Sequence, residues 1–216
     1  MITTSLNPYF QVGLDVMDRP CLVIGGGREA QDKGGRLLEA GARLTVVSPD
    51  LTPQLESWVS AGRLQHQQRR FKPSDLDGVF LAMNTVRHDE ALTLEVFKQA
   101  QEKNILINSY DRPACSNFGM AALVNPGHLR LSISTSNASP SLARRLREDL
   151  EALFDKEFAE YLDRLAQVRA HLKQHEPEFD QRVALLRSLV ADFCIEGQLR
   201  YPPDWRIKAD EILQSY

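Results

Sequence analysis

Three consecutive glycines, Gly25 to Gly27, provide the clearest chemical signal in the sequence. They follow the apolar run Cys21–Ile24 and open a helical pattern, so that Gly25, Gly27 and Ala30 fit the spacing G-x-G-x-x-A. In this motif the first glycine permits a sharp turn, the second lets the backbone approach a pyrophosphate, and the small third residue lets the helix pack closely. The phosphates lie at the helix N-terminus, where free N–H groups favour negative charge. The pattern predicts a dinucleotide site; a tight turn without a ligand is the alternative.

The second predicted strand ends in polar residues that suit a ribose. An acidic residue about 20 positions after the glycines usually binds the ribose hydroxyls of NAD. Asp50 lies in that range, two residues beyond Ser48 at the expected strand tip, and no arginine follows directly to receive a 2′-phosphate. NAD is therefore favoured over NADP. The residues predicted here to bind the cofactor are Gly25, Gly26, Gly27, Arg28, Glu29, Ala30, Ser48, Pro49 and Asp50.

A carboxylate follows the last strand of the first half. Asp111 comes shortly after the apolar run Ile105–Ile107, at the carboxyl end of a strand, where open α/β sheets bind ligands. Aspartate side chains are ionised at neutral pH, so this one can accept a proton or steer a metal ion. The alternative is an Asx-type turn residue before Arg112 and Pro113.

A serine-rich segment and a group of arginines suit a substrate that carries carboxylates. Residues 134–139 supply hydroxyls and backbone N–H groups before a helix start, and the arginines of residues 144–147 can bind carboxylates bidentately. The alternative is a solvated helix face with Glu148 and Asp149 as partners. The candidate substrate-binding residues are Ser134, Ser136, Ser139 and Arg144.

No metal site is predicted. His171 and His175 stand four residues apart, as two ligands on one helix face would, but the sequence shows no third ligand, and the end of a surface helix is the preferred interpretation. The three cysteines are widely spaced and suggest neither a disulfide framework nor a zinc cluster.

The elements that position these residues alternate in the first half of the chain. Short apolar strands and helices follow one another, which is typical of βαβ units and a parallel sheet. Strands are predicted at Cys21–Ile24, Leu44–Val47, Arg63–Gln67, Val79–Met83 and Ile105–Ile107, and helices at Arg28–Ala40, Pro53–Ala61 and Asp89–Lys103.

After Asp111 the pattern changes to a hairpin and then to helices. Ala121–Val124 and Leu129–Ser134 flank a Pro-Gly reversal, and Ser139-Pro140 opens a helix. Two apolar stripes at helical spacing, from Phe154 to Leu172 and from Phe179 to Phe193, favour core packing over a binding groove, and a final short helix is expected from about Asp204. The expected fold class is α/β: a Rossmann-like parallel sheet (residues 1–112), a small hairpin and helix region (113–150) and an all-helical C-terminal region (151–216).

Composition limits the function classes. The chain has 216 residues, a formal net charge of −3 and a pI near 6.0, so its overall charge offers nucleic acid no general attraction. No apolar run approaches the roughly 20 residues of a membrane span, and the first residues lack the sections of a signal peptide. We expect a soluble cytoplasmic protein that binds neither nucleic acid nor membrane.

Four segments together resemble the precorrin-2 dehydrogenase family, the dehydrogenase and ferrochelatase module of siroheme synthesis. They are Val23-Ile-Gly-Gly-Gly27, Leu37-Leu-Glu-Ala-Gly-Ala42, Leu44-Thr-Val-Val-Ser-Pro49 and Ser139-Pro-Ser-Leu-Ala-Arg-Arg-Leu-Arg-Glu148. The first is shared by many Rossmann proteins, whereas the last is much more specific. The resemblance implies an NAD-dependent oxidation of precorrin-2 to sirohydrochlorin, performed by a homodimer in which the region after Asp111 forms the subunit contact. Some members of the family also insert iron, and a non-catalytic NAD-binding sensor or assembly protein is a further alternative.

The resemblance also implies roles for single residues. In that family an aspartate just after the last Rossmann strand is associated with catalysis and chelation, and Asp111 matches it. The segment Met83–His88 matches the family's stretch at the nicotinamide side of the cofactor, which adds Asn84 and Thr85 to the predicted cofactor residues. This segment departs from the family's Ala-Thr-Asn/Asp-Asp pattern, and Phe118–Ala122 departs from its Phe-x-x-Pro-Ala pattern.

Overall fold

The computed structural model describes residues 10–136 and 138–197. The chain divides into two compact units. The first, called here the sheet unit, contains the chain up to Val124 together with Arg130–Leu153. The second, the helical unit, contains Asn125–Leu129 together with the chain from Phe154 onward. Most of the hairpin and the helix after it group with the sheet in this division. No described helix is both long enough and apolar enough to cross a membrane.

A five-stranded parallel sheet forms the centre of the sheet unit, as predicted. Its strand order is β3-β2-β1-β4-β5, with β1 in the middle. The strands are β1 (Pro20–Ile24), β2 (Arg43–Val47), β3 (Gln65–Gln67), β4 (Leu81–Asn84) and β5 (Leu106–Ser109). The chain leaves β1 toward β2 and returns to β4 on the other side, so the order reverses between β1 and β4. In open α/β sheets that reversal creates a crevice at the carboxyl ends of the strands.

Three helices cover the sheet. They are α1 (Arg28–Glu39), α2 (Pro53–Ser60) and α3 (Glu90–Glu102). Alternate residues of β1 face opposite sides: Cys21 and Val23 join the core cluster that contains α1 and α2, whereas Leu22 and Ile24 join the cluster that contains α3. Both faces of the sheet are therefore buried at its centre, which explains why the inner strands β1 and β4 are mostly apolar.

Most predicted strand boundaries shift by one or two residues in the structure. β4 begins at Leu81, two residues later than predicted, and β3 is only three residues long. The outer edge of β5 is covered by side chains: the Asn117 amide group bonds the backbone N–H of Ile107 and the carbonyl of Ile105, at 2.8 and 2.9 Å. These contacts satisfy edge groups that a further strand would otherwise pair.

The predicted hairpin is present but short. β6 (Ala122–Val124) and β7 (Leu131–Ile133) pair antiparallel, and six residues connect them, where a tight reversal was predicted. Only Val124 of the two strands is buried. Helix α4 (Pro140–Leu153) packs against β6, and the Ser139 hydroxyl accepts a hydrogen bond from the Leu142 N–H, as expected of an N-cap.

The helical unit consists of two described helices, α5 (Lys156–His175) and α6 (Phe179–Ser188). The Tyr161 hydroxyl donates to the Leu189 carbonyl at 2.7 Å, and the Phe193 ring stacks on the Tyr161 ring. The second apolar stripe therefore continues beyond the end of α6. No residue of α5 or α6 is fully buried. Their apolar stripes therefore do not form the fully buried core that was predicted. The helix expected from about Asp204 lies outside the described residues.

Candidate active site

The glycine turn after β1 is shaped by its close neighbours. Gly25 has a φ of 105°, and a Cβ there would collide with the Thr85 hydroxyl. A Cβ on Gly26 would collide with the carbonyl oxygen of Asp50, whereas a Cβ on Gly27 would meet nothing within 4 Å. The first two glycines are thus required by protein contacts, and Gly27 faces open space. That space is where the motif places a pyrophosphate.

The start of α1 provides free donors toward that space. Gly27 is the N-cap residue with no side-chain cap, and the first backbone bond within the helix runs from the Gln31 N–H to the Gly27 carbonyl. The N–H groups before Gln31 therefore lack helical partners. Ala30 is completely buried, as close packing of the helix requires. The turn fits the diphosphate of a dinucleotide: it combines free donors, room without a Cβ and the positive end of a 12-residue helix.

The loop after β2 is bonded directly to the glycine turn. The Gly25 N–H donates to the Val47 carbonyl and the Thr52 N–H donates to the Gly26 carbonyl, at 2.9 and 3.0 Å. Ser48 is buried, and its carbonyl lies 2.9 Å from Nε2 of His66, a residue that the sequence did not single out. Pro49 and Asp50 are exposed beside the turn. The described contacts leave the Asp50 carboxylate without a hydrogen bond or ion pair, so it is available for ribose hydroxyls.

The segment after β4 is fixed by its own side chains. The Thr85 hydroxyl donates to the Ile24 carbonyl at 2.8 Å. The Asn84 amide donates to the Thr93 hydroxyl and its oxygen accepts from the Val86 N–H, both at 3.1 Å. Asn84 is fully buried. In this structure both side chains therefore hold the turn itself, and their predicted contact with the cofactor stays a prediction.

Asp111 lies at the carboxyl end of β5 in a left-handed backbone conformation, with a φ of 57°. Its carboxylate faces the guanidinium of Arg87, with Oδ2 and Nη2 4.0 Å apart. An Asx turn would need a backbone N–H bonded to this carboxylate, and the described contacts include none. The carboxylate is largely exposed, so it is accessible to a substrate.

Asp111 borders a cavity of about 230 Å³ at the carboxyl edge of the sheet. Ser134, one of the predicted substrate residues, borders the same cavity, and its binding role stays a prediction. Ser109 also borders this cavity, and its buried hydroxyl has no hydrogen-bond partner within the described part of the chain. An unpaired buried hydroxyl is rare and calls for an explanation, such as a role in binding. The lining combines polar and apolar side chains, including Lys33, Tyr110, Arg112, Phe118 and Met120.

The other candidate substrate residues have local partners. Ser139 caps α4, and Ser136 has a φ of 50° with its N–H bonded to the Ser134 hydroxyl. Arg144 pairs with Glu148 four residues later, at 3.1 Å, as the solvated-face alternative supposes. Their binding roles stay predictions.

Three functional candidates were not identified from the sequence: Tyr110, Arg87 and Lys33. The Arg87 guanidinium lies 4.9 Å and the Lys33 ammonium 5.4 Å from the centre of the Tyr110 ring. The negative charge of Glu29 and a hydrogen bond from the phenol to that carboxylate raise the pKa of Tyr110 above its usual value. The positions of Tyr110 beside Asp111 and of Arg87 just after β4 were the available signals.

The two histidines on α5 stack on each other, and Nδ1 of His175 lies 2.9 Å from the His171 carbonyl. No group of three metal-ligating side chains occurs among the described residues. Burial raises the pKa of the Cys21 thiol to about 11. That thiol is therefore protonated at neutral pH.

Comparison with known proteins bears on the family and the cofactor. Residues 12–122 match the family described as "Putative NAD(P)-binding". The chain is 36% identical over 174 residues to the siroheme synthase of Citrobacter koseri and 35% identical over 169 residues to that of Methylobacillus flagellatus. It covers only 38% and 36% of the length of these relatives, and 81% and 78% of its own residues are aligned. The solved structure of SirC, a precorrin-2 dehydrogenase, superposes with a TM-score of 0.74 at 27% identity, over 96% of this chain and 98% of that one.

The chain belongs to the precorrin-2 dehydrogenase family. The resemblance and the α/β fold class predicted from the sequence are both confirmed. Family membership also supports the predicted dinucleotide cofactor, because the NAD(P)-binding match covers the whole glycine turn and all five parallel strands.

Proposed function

We propose that this protein oxidises precorrin-2 to sirohydrochlorin with NAD as the acceptor, a step in siroheme biosynthesis. The observation that carries the proposal is the placement of Asp111 beside a cavity at the same edge of the sheet as an open glycine turn. The likeness to SirC over nearly the whole of both chains supports it.

Residues at the ends of β1 and β2 would hold the cofactor. The free N–H groups at the start of α1 bind the diphosphate, and the exposed Asp50 carboxylate accepts hydrogen bonds from ribose hydroxyls. A carboxylate at this place repels a 2′-phosphate, which favours NAD over NADP. When bound, NAD supplies the hydride acceptor for the oxidation.

The side chains of the protein bind the substrate and accept its proton. The oxidation removes one hydride and one proton from the macrocycle, and the accessible Asp111 carboxylate is placed to accept that proton. Precorrin-2 carries eight carboxylate side chains, for which Ser134, Ser136, Ser139 and Arg144 are the proposed partners. The buried hydroxyl of Ser109 beside the cavity supplies a further polar group.

An anaerobic assay tests the proposal. Purified protein, NAD and precorrin-2 should give sirohydrochlorin faster than a mixture without protein, as followed by absorbance. NAD binding without turnover would instead support the alternative of a non-catalytic sensor or assembly protein.

A variant of Asp111 tests its role within that reaction. We expect Asp111→Ala to lower turnover by about 10²–10⁴-fold, the usual contribution of a positioned general base, with little change in NAD affinity. Dehydrogenation that survives while iron or cobalt insertion fails would assign Asp111 to chelation, as the bifunctional alternative requires. Wild-type rates for both reactions would end the catalytic role of this residue.

We also propose a homodimer formed through the hairpin region. Within the described residues, β6 and β7 pair only with each other, and a two-stranded ribbon of this kind is marginally stable in water. Three alternate residues near the N-terminus, Phe10, Val12 and Leu14, are 90%, 66% and 43% exposed. The Gln11 side chain between them accepts a hydrogen bond from Ser132 of β7. A second copy can cover both features.

Sedimentation of the full chain tests the homodimer. At micromolar concentration it should give about twice the chain mass of 24.4 kDa. A single monomer species at all concentrations would contradict the dimer. The three-part division at residues 112 and 150 and the cytoplasmic location also stay predictions.

A further inference from the structure

Five side chains form a continuous cluster at the carboxyl edge of the sheet. This group, called here the Tyr110 cluster, consists of Glu29, Lys33, Arg87, Tyr110 and Asp111. Its members come from the first two turns of α1, from the segment after β4 and from the end of β5. The cluster therefore connects the helix that follows the glycine turn with the candidate base.

Tyr110 is fixed at the α1 side. The Lys33 ammonium of α1 lies 5.4 Å from the centre of its ring. The negative charge of Glu29, together with hydrogen bonding to that carboxylate, raises the pKa of Tyr110. The Lys33 ammonium lies 3.5 Å from Oε2 of Glu29 and is mostly buried. A phenol with a raised pKa stays protonated at neutral pH and keeps its hydrogen bond.

Arg87 is fixed by the Tyr110 ring. A surface ion pair at 4.0 Å, such as that between Arg87 and Asp111, restrains the arginine side chain only weakly. The guanidinium also lies 4.9 Å from the ring centre, where the electron-rich face attracts it. The ring thus restricts Arg87 to the side of the site where Asp111 lies.

The backbone at Asp111 adopts an uncommon conformation opposite Arg87. Its φ of 57° lies in the left-handed region, which non-glycine residues occupy at some energetic cost and which aspartate tolerates better than most. Such strained residues concentrate at functional sites. The strained backbone and the cation opposite it together specify the direction of the carboxylate.

We propose that Arg87 and Tyr110 are positioning residues, which hold the Asp111 carboxylate in its working orientation and are anchored to the glycine-turn helix by Lys33 and its ion-pair partner Glu29. The inference rests on the proposed function, in which Asp111 accepts the proton of precorrin-2. It adds that the position of the base, Asp111, depends on contacts with α1, the helix that follows the glycine turn.

Steady-state kinetics test whether Arg87 positions Asp111 for the reaction. We expect Arg87→Ala to lower kcat for precorrin-2 oxidation about tenfold, less than the ~10²-fold that a misplacement of about 1 Å can cause. The affinity for NAD, measured by calorimetry, should stay within about twofold, since Arg87 lies outside the glycine turn. Arg87→Lys should recover part of the rate, because it keeps the cation over the ring.

Two substitutions of Tyr110 separate the ring from the hydroxyl. Tyr110→Leu removes the surface on which Arg87 rests and should resemble Arg87→Ala, whereas Tyr110→Phe keeps the ring and should lose less activity. Arg36→Ala is the matched control: this exposed arginine of α1 pairs with Asp32 and should leave the rates unchanged.

The possible results distinguish this inference from the proposed function. A wild-type kcat in Arg87→Ala, with Asp111→Ala inactive, would overturn the positioning role and leave the function intact. An active wild type whose Asp111→Ala variant is equally active would overturn the role of Asp111 and this inference, but not precorrin-2 oxidation.

A titration without substrate tests the contacts directly. The tyrosinate absorbance that Tyr110→Phe removes identifies the titration of Tyr110. Glu29→Gln should lower the pKa of Tyr110 toward its usual value, and Arg87→Ala should raise it further, because the nearby cation lowers it in the wild type. An unchanged pKa in both variants would show that the cluster does not exist in solution and would overturn the inference.

Discussion

The sheet unit and the helical unit bury their apolar residues to very different extents. Every buried hydrophobic residue of the described chain lies in the sheet unit, whereas α5 and α6 contain none. A sheet covered on both faces encloses two layers of side chains, but two helices joined in a hairpin cover only one face of each other. The sheet unit therefore has its own core, while the helical unit depends on half-buried contacts such as that between Tyr161 and Phe193.

The largest expected effect is the loss of NAD binding, which depends on the sheet unit and not on the helical unit. Gly27→Asp should abolish measurable NAD binding, more than about a hundredfold in affinity, because a carboxylate would fill and repel the position of the diphosphate. The fold should persist, since a Cβ at Gly27 meets no protein atom within 4 Å. Calorimetry measures the affinity and circular dichroism the fold.

Gly197→Asp is the matched control in the helical unit. A Cβ at that glycine also meets nothing within 4 Å, so the variant should bind NAD like the wild type. An unchanged NAD affinity in Gly27→Asp would contradict the cofactor assignment.

The second prediction concerns stability. Leu55 is completely buried in α2, and Leu55→Ala should lower the free energy of unfolding by about 2–5 kcal/mol. Phe179 of α6 is 67% exposed, and Phe179→Ala should change the free energy of unfolding by less than about 0.5 kcal/mol. Urea unfolding followed by circular dichroism measures both. Equal losses would show that a second copy or the rest of the chain buries Phe179.

The third prediction uses the pH dependence of an ion pair in the sheet unit. A hydrogen bond from Arg69, at 2.6 Å, holds the pKa of the Asp75 carboxyl below its ordinary value of 3.8. The pair therefore stabilises the fold fully above about pH 4, and the stabilisation disappears as the pH falls toward the lowered pKa. Asp75→Asn should lower Tm at pH 7, and its difference from the wild type should shrink at pH 3. A difference independent of pH would refute the ionic origin.

The smallest effects compare one helix cap from each unit. Ser139 caps α4 in the sheet unit and Asp155 caps α5 in the helical unit, through N–H bonds of 3.2 and 3.0 Å. Replacement of either by alanine should remove about 1 kcal/mol. Hydrogen exchange should show faster opening of the sheet unit in Ser139→Ala and of α5 alone in Asp155→Ala. The same exchange pattern in both variants would mean that the two units unfold together.

The sequence was informative wherever a local pattern decides the structure. Apolar runs located the inner strands β1, β2 and β4 and the start of β5, because burial on both sheet faces leaves little polar alternation to obscure them. The hairpin and the cap of α4 followed from local turn and capping chemistry. The end of α6 was less predictable: the apolar stripe continues to Phe193, but the Tyr161 hydroxyl binds the Leu189 carbonyl and the helix stops earlier.

The candidate site was only partly predictable, because only some of its residues belong to a local sequence pattern. Gly27 and Asp111 were identified because a motif and a strand end specify them. Arg87 and Tyr110 were missed, because their partners are distant in sequence and neither position carries a motif. The contact between the Gly26 backbone and Asp50 is likewise invisible before the strands are placed side by side.

The sequence by itself determined the parallel sheet, the glycine turn and the family, because each depends on residue types at short, regular spacings. Only the tertiary structure decided which side chains meet at the carboxyl edge of the sheet. There the ends of β1, β4 and β5 bring Glu29, Arg87 and Asp111 together around Tyr110, across more than 80 positions of the sequence. Such contacts arise from strand order and register, which no local pattern of residues encodes.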